Sequence, residues 1–220
     1  RPVRAAARAL VALQALCVLG PVAIIVVWAF TASWPWPSLL PETFSARGIE
    51  ELFGPAQRAG EVLGASVGIA LATAALTTAV ATLAGRALSH YRFFGREALR
   101  FAVLLPFLIP ATVFAMGVQV ALIRAGLAGT VAGVVLAHSI VALPYAALIM
   151  ADAMEAAGSR LEEQARVCGA GGARAWLTVI LPMLSPSLLS AASMSYILSF
   201  SQYFLTLLVG SGKVLSLIHI

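Results

Sequence analysis

Charged side chains are scarce in this chain, and their scarcity excludes an ordinary water-soluble globular fold. Only 10% of the 220 residues are Asp, Glu, Lys or Arg, whereas a typical soluble domain carries roughly 25%. Hydrophobic residues make up 61% of the sequence, and the mean hydropathy is +0.97. A soluble core of this composition would have too little polar surface to cover it, so the sequence predicts a polytopic membrane protein.

Cysteine is also scarce, and the two thiols indicate neither a disulfide nor a metal site. Cys17 lies within the first apolar run, and Cys168 lies in a polar loop. The two are expected at different depths, too far apart to be bridged. No histidines cluster near them at a metal-ligand spacing. We therefore predict no metal site and no catalytic residues in this chain.

Long apolar runs without a single charged residue are abundant instead. Five such runs reach about 20 residues, the length that crosses the hydrocarbon of a bilayer. They are too uniformly apolar for the alternating strands of a membrane barrel, whereas a helix satisfies its own backbone in lipid. The predicted fold is an all-α transmembrane bundle with spans at 10–30, 62–84, 101–123, 128–151 and 188–209.

Basic residues orient these spans with the N-terminus inside the cell. With that placement the inner segments hold ten basic residues and the outer segments hold four, in agreement with the positive-inside rule. The same bias explains the net charge of +5 without a nucleic-acid partner, because no basic face stands apart from the loops that flank the membrane. The segment 152–182 is then cytoplasmic.

The most informative segment lies between the fourth and fifth runs, where residues 163–182 read EQARVCGAGGARAWLTVILP. Ser159 followed by Glu162 matches the S-x-x-E capping box that begins a helix. Gly169 suits the left-handed residue that ends many helices, and a second short helix is predicted over 173–181. The segment is therefore predicted to form a helix–turn–helix elbow against the inner membrane face.

One face of the first elbow helix is predicted to receive a partner. Leu161, Ala165 and Cys168 recur at spacings of four and three, which places them near one face. This face is apolar and of small to medium size, so a helix carrying it can seat closely in a groove. The competing interpretation is a plain amphipathic loop that lies on the bilayer.

The elbow resembles a known loop, with five positions matching in register. The sequence follows the pattern E-A-A-x3-G-x9-I-x-L-P with two mild departures, Gln164 and Val179. This resembles the EAA loop of the permease subunits of ATP-binding-cassette (ABC) importers, where such a subunit docks onto a separate ATPase. The residues that the resemblance assigns to ATPase coupling are Glu163, Gln164, Ala165, Gly169, Leu181 and Pro182.

The resemblance extends over residues 62–220, which are similar to the type-1, MetI-like transmembrane domain of these importers. It implies a division into an N-terminal helix with an extracytoplasmic segment, 1–61, and a permease domain, 62–220, with the coupling loop at 152–182. The family has six spans, so a sixth is expected beyond Ile220 and the chain as given is expected to be truncated.

The resemblance also implies the partners and the location. A separate ABC ATPase would bind and hydrolyse ATP, so this chain would hold no cofactor and would not be an enzyme. A second permease subunit, identical or different, would complete the pore, and an extracytoplasmic solute-binding protein would deliver the solute. The chain would then lie in the lipid of the bacterial cytoplasmic (inner) membrane with its N-terminus in the cytoplasm.

Polar residues within the predicted spans are candidates for a solute path. Intramembrane polar groups are costly and usually face the interior of a bundle. Their competing role is hydrogen bonding between helices, which is the favoured interpretation for any single one of them and for His138 in particular. The candidate path residues are Ser199, Gln202, Tyr203 and His138.

Small residues and prolines predict where these spans pack or bend. Glycine or alanine at every fourth position predicts close helix packing, within the chain or between two subunits. Proline interrupts helices and predicts kinks. The packing positions are Gly64, Gly68 and Ala72 in the second span and Gly129 and Gly133 in the fourth, and the prolines are Pro106, Pro110 and Pro144.

The outer segment 31–61 carries a Trp34-Pro35-Trp36-Pro37 cluster. Tryptophan commonly anchors at the boundary between lipid and water, which is the favoured interpretation here. Contact with the external solute-binding protein is the alternative. Residues 42–61 contain four glutamates and are predicted to include a short surface helix.

Two other classes of membrane protein remain as alternatives. A secondary carrier driven by an ion gradient often buries an acidic residue in a span, and none of the five runs contains one. A structural membrane subunit without a pore is the other. The Gly210-Ser211-Gly212-Lys213 run departs from the phosphate-binding loop G-x-x-x-x-G-K-[ST], because Leu207 replaces the first glycine and Val214 follows the lysine.

Overall fold

Apolar helices dominate the chain, as the sequence predicts. The computed structural model describes residues 2–35, 37–38, 40–46, 50, 54 and 59–214. Within these ranges three helices are long and apolar enough to cross a membrane, or up to five if each of two bent helix pairs is one span. The predicted all-α membrane fold is confirmed, but two of the predicted straight spans, 101–123 and 188–209, are each interrupted.

The chain divides into two compact units, Arg1–Glu61 with Ile220 and Val62–His219. In the first unit, helix α1 (Pro2–Ala29) covers nearly all of the first predicted span. Its described side chains from Leu10 onward are almost all exposed, which suits a helix whose neighbours are lipid chains.

A small hairpin that the sequence did not predict follows α1. Strand β1 (Thr31–Ser33) pairs antiparallel with strand β2 (Thr43–Phe44). Within the connecting loop the indole Nε1 of Trp34 donates a hydrogen bond to the backbone carbonyl of Ser38 at 2.8 Å. Trp36 and most of the surface helix predicted within 42–61 lie outside the described residues.

Helix α2 (Ala59–His90) contains the second predicted span and makes its closest packing contact at a glycine that the pattern missed. A Cβ on Gly85 would lie 3.1 Å from the carbonyl carbon of Met150 and 3.2 Å from the nitrogen of Ala151. Gly64 and Gly68, predicted as packing positions, have no such neighbour within 4 Å among the described residues. Backbone contact therefore occurs near the end of α2 rather than at its beginning.

The third predicted span, 101–123, is not one straight helix. Helices α3 (Arg96–Leu108) and α4 (Ala111–Arg124) meet at a bend of 115°. The physical reason is Pro110, which has no N–H to donate and disfavours helical geometry at the residue before it. Ile109 is accordingly extended, with φ −97° and ψ 135°. The pair forms a broken span or a re-entrant loop.

Helix α5 (Val131–Ala157) covers the fourth predicted span except its first three residues and is capped by Thr130. The Thr130 hydroxyl accepts a hydrogen bond from the Gly133 N–H at 3.0 Å and donates one to the Leu127 carbonyl at 2.7 Å. A Cβ on Gly133 would collide with that carbonyl oxygen. Gly133 thus serves the turn before α5, rather than the helix–helix face that its spacing predicted.

The remaining helices are short and separated by breaks. Helix α6 (Arg160–Val167) follows α5, and the fifth predicted span, 188–209, is interrupted at Ser201-Gln202. The segment Gly172–Met183 is bent by 70° relative to the helix that follows it. Its parts and the helices after it are α7 (Gly172–Ala175), a π-helical turn (Trp176–Ile180), α8 (Leu181–Met183), α9 (Ser185–Phe200) and α10 (Tyr203–Gly210).

Helix α5 lies at the centre of the second unit. It packs most extensively against α9 and also contacts α3, α4 and α10. Val134 and Ala137 of α5 belong to one buried apolar cluster, and Ala146 and Met150 belong to another. The second cluster also contains Ile180, at the end of the π-helical turn, so the segment after α6 is anchored in the interior of this unit.

Candidate functional site

The predicted elbow is present, and its turn closes around Gly169. This residue has φ +86°, the left-handed conformation that its place at a helix end predicts. The Gly169 N–H donates to the Arg166 carbonyl at 2.9 Å, and the Ala170 N–H donates to the Ala165 carbonyl at 3.0 Å. This pair of bonds is the Schellman arrangement, which satisfies carbonyls that the end of a helix leaves free.

The predicted capping box at Ser159 is wrong. No hydrogen bond joins the Ser159 side chain to the first turn of α6, all of whose residues are described. Its φ of −90° and ψ of −13° are helical, whereas a capping residue is typically extended. Glu162 also points elsewhere: it is 8% exposed, and its Oε1 accepts hydrogen bonds from Arg86 at 3.0 Å and Arg166 at 2.7 Å.

A four-residue junction, formed by Arg86, Glu162, Arg166 and Trp176, therefore holds the elbow to α2. The guanidinium carbon of Arg86 lies 4.2 Å from the centre of the Trp176 ring. This arginine therefore contacts both arms of the elbow: the first arm, α6, which carries Glu162, and the second arm, the segment Gly172–Met183, which carries Trp176. Sequence reasoning counted Arg86 only as an inner-side charge. The sequence did contain an indication of its role, because Arg86 is the only charged residue between positions 62 and 89.

The outward side of α6 only partly matches the face that the sequence predicted, on which Cys168 is exposed. Ala165 is half-buried and Leu161 is 39% exposed, whereas Val167 is 90% exposed. Glu162 lies on the inward side of α6, and other positions of the helix face outward. We call these positions the α6 stripe, which lines a shallow depression of about 470 Å³ and consists of Arg160, Glu163, Gln164, Val167 and Cys168.

The six residues predicted for coupling divide between the surface and the interior. Glu163 and Gln164 belong to the α6 stripe, and Gly169 lies exposed in the turn. Ala165 is half-buried behind the stripe. Leu181 is half-buried and lines an apolar groove between α2 and α9, and Pro182 beside it is exposed. The structure thus brings the first four together and places the last two at the base of the second arm.

The residues predicted for a solute path also separate into two groups. His138 is buried on α5, and its Nδ1 lies 2.8 Å from the Ser199 hydroxyl while its Nε2 lies 3.0 Å from the Thr206 hydroxyl. Thr206 donates its proton to the Gln202 carbonyl, so it must accept from Nε2–H, and Ser199 then donates to Nδ1. Both ring nitrogens are satisfied by helices α9 and α10, as the structural interpretation of His138 predicted.

Gln202 and Tyr203 are more accessible than this network. Tyr203 is exposed, and half-buried Gln202 lies at the break between α9 and α10. Gln202 lines a cavity of about 100 Å³ together with Pro106 and Ala111, which flank the break between α3 and α4. Two helix breaks therefore meet at one small cavity, in which Gln202 supplies the only polar side chain among the described lining residues.

We expect His138→Leu to destabilise the second unit without changing which solute is handled. Leucine leaves the hydroxyls of Ser199 and Thr206 without their imidazole partner, at a cost of about 1–2 kcal/mol. Thermal unfolding of the purified protein in detergent measures this loss. Unchanged stability together with a changed preference among solutes in a transport assay would instead place His138 in the solute path.

Comparison with known proteins gives a family match over most of the second unit. The model of a family described as "binding-protein-dependent transport system inner membrane component" matches residues 78–219. The structure is also similar to a crystal structure of a bacterial ABC transporter involved in the import of the acidic polysaccharide alginate. The TM-score is 0.72 at 18% identity, covering 100% of this chain and 79% of that one, which shows a shared fold.

Two curated relatives illustrate the sequence similarity. A putative ABC transporter permease protein, ORF1, of Streptomyces antibioticus is 28% identical over 141 residues, covering 64% of this chain and 62% of the relative. The molybdenum transport system permease protein ModB of Mycobacterium tuberculosis is 32% identical over 161 residues, covering 66% and 61%. The chain thus spans about three fifths of the length of these relatives.

Proposed function

The chain belongs to the family of binding-protein-dependent transport system inner membrane components, and from this membership we propose that it is a permease subunit of an ATP-driven ABC importer. In this role its helices contribute to the solute pathway across the bacterial cytoplasmic membrane. ATP is bound and hydrolysed by a separate subunit, so the permease contributes a change of conformation and catalyses no reaction.

The α6 stripe is the proposed docking surface for that ATPase. The observation that carries this proposal is the exposure of Val167, 90%, on a helix whose opposite side is held in place by buried Glu162. The stripe combines this apolar residue with the charged Arg160 and Glu163 and the amide of Gln164. Lipid chains would exclude the charges, whereas the interface of a reversible protein complex accepts such a mixture.

With the ATPase docked on the α6 stripe, the proposed transport mechanism is alternating access. A second permease subunit, identical or different, completes the pore, and an extracytoplasmic solute-binding protein delivers the solute. ATP binding closes the pair of ATPases and draws the two elbows together, and hydrolysis lets them separate. The proposed orientation has the N-terminus and the elbow in the cytoplasm, where the ATPase and ATP are present.

Val167→Asn tests the docking surface. Burying an amide without a partner costs about 1–3 kcal/mol, so the affinity of the ATPase is expected to fall about tenfold or more. The measurement is binding of the purified ATPase to the permease in nanodiscs. Leu161→Asn is the matched control, since it makes a similar apolar-to-polar change on the same helix outside the stripe.

The two variants separate docking from general damage to α6. Weaker binding for Val167→Asn alone supports the proposal. Equal binding by Val167→Asn and the unaltered protein would show that the α6 stripe is not the ATPase contact. A greater loss for Leu161→Asn would place the docking face where the sequence pattern predicted it.

A further inference from the structure

We propose that Arg86 is a positioning residue that transmits the displacement of the elbow to the membrane helix α2. This inference rests on the proposed function, since it assumes that an ATPase moves the elbow. It assigns to the four-residue junction a role separate from docking. The α6 stripe receives the partner, and Arg86 passes the movement on.

Arg86 is suited to this role because it contacts both arms of the elbow at once. Its Nη2 donates to Oε1 of Glu162 on the first arm at 3.0 Å, and its guanidinium lies over the ring of Trp176 on the second arm, 4.2 Å from its centre. A planar guanidinium bonds through its edge and stacks through its face, which a lysine ammonium does not do. The two arms and α2 are therefore held in one fixed arrangement.

The burial of Glu162 makes this connection difficult to break. If the elbow slid along α2, the buried carboxylate of Glu162 would lose one of its two cations and keep only Arg166, which opposes the sliding. Arg166 also contacts Glu162, but it lies on the same helix four residues later, and its side chain is 57% exposed. Among the described residues, Arg86 is the one cation that reaches Glu162 from a membrane helix.

The movement has a direct route beyond Arg86. The preceding residue, Gly85, lies so close to the backbone of Met150 and Ala151 on α5 that an added Cβ would be 3.1–3.2 Å from these atoms. Close-packed backbones do not compress, so a displacement of this end of α2 moves α5 with it. Because α5 carries His138, bonded to Ser199 on α9 and Thr206 on α10, the route continues to the break between those helices.

The test compares Arg86→Gln with Arg92→Gln in the assembled transporter in nanodiscs. Arg92 is an exposed arginine in the loop after α2 and serves as the matched control. For Arg86→Gln we expect ATPase binding to stay within about twofold, while the stimulation of ATP hydrolysis by the solute-binding protein falls about tenfold or more. Arg92→Gln is expected to change neither quantity.

Two further variants distinguish transmission from misfolding. Arg86→Lys keeps the charge but loses the simultaneous stacking and hydrogen bonding, so it is expected to fold and yet lose most of the stimulation. The double variant that combines Arg86→Glu with Glu162→Arg restores an ion pair between the same helices. It is expected to recover part of the stimulation that Arg86→Glu alone abolishes.

Several results would overturn the inference. Full stimulation in Arg86→Gln means that α2 is moved without this residue. Loss of ATPase binding in Arg86→Gln means that the residue supports the docking surface instead of transmitting its movement. Failure of the proposed docking surface gives a different result. In that case the ATPase binds Val167→Asn normally, and this outcome does not depend on the Arg86 variants.

Discussion

Gly169→Val is expected to abolish the coupled activity of the transporter while leaving the protein in the membrane. The φ of Gly169 is +86°, and a left-handed conformation costs an L-residue about 1–2 kcal/mol, with a β-branched residue strained more. Relief of that strain rotates the backbone out of the left-handed region and breaks the hydrogen bonds to Arg166 and Ala165. The last turn of α6 then unwinds and carries Val167 out of the α6 stripe.

Crowding is not the cause of this effect, because a Cβ on Gly169 would meet no atom within 4 Å among the described residues. The conformation alone decides the outcome, and this permits a strict comparison. Asparagine tolerates the left-handed region better than other residues with a side chain, so Gly169→Asn is expected to keep most of the activity.

Gly171→Val is the second control. Gly171 lies in the same turn, also in open space, but its φ of −62° and ψ of 157° suit any L-residue. The measurements are the amount of permease in the membrane, the binding of the ATPase and the ATP hydrolysis that solute and its binding protein stimulate. Equal activity in Gly169→Val and Gly171→Val would contradict the role assigned to the left-handed turn.

Gly85→Leu is expected to be the most destabilising substitution in α2. The neighbours of its new Cβ would be backbone atoms of Met150 and Ala151 at 3.1–3.2 Å, and backbone does not move aside as a flexible side chain does. Overpacking of this kind costs about 1–3 kcal/mol. Gly85→Ala is expected to have a smaller effect in the same direction.

Gly68→Leu is the matched control, since it makes the same change on the same helix where no described atom lies within 4 Å. Thermal unfolding in detergent compares the two variants. A large loss for Gly85→Leu and little change for Gly68→Leu supports α2–α5 contact at Gly85. If Gly68→Leu were equally damaging in the purified complex, its face would be packed against another subunit, as its spacing allowed.

The broken helices show the limit of reading spans by hydropathy. Residues 101–123 and 188–209 contain no charged residue and are apolar on average, and a window average does not register the break at Pro110 or at Ser201-Gln202. Proline gives a local warning, and the sequence did flag Pro110. It flagged Pro106 and Pro144 equally, yet both lie inside helices that continue through them. Contacts with neighbouring helices decide whether a helix breaks at a proline.

The coupling residues show a similar division. Gly169 was predicted correctly as a left-handed helix end, since that requirement is satisfied within a few residues of chain. The outward face of α6 was predicted only in part from spacing: Cys168 lies on it, whereas Ala165 is half-buried and Val167 was not predicted. Spacing states which residues share a face, and it does not state which face a neighbouring helix covers.

The sequence by itself determined the membrane class, the helical architecture and the elbow with its glycine turn, because apolar length and local backbone conformation are properties of short segments. Only the tertiary structure decided that Glu162 turns inward, that Arg86 joins it and that Val167 faces outward. Arg86 and Glu162 are 76 residues apart, and ten basic residues share the inner side in the predicted orientation. Which one meets a given carboxylate depends on how the helices pack.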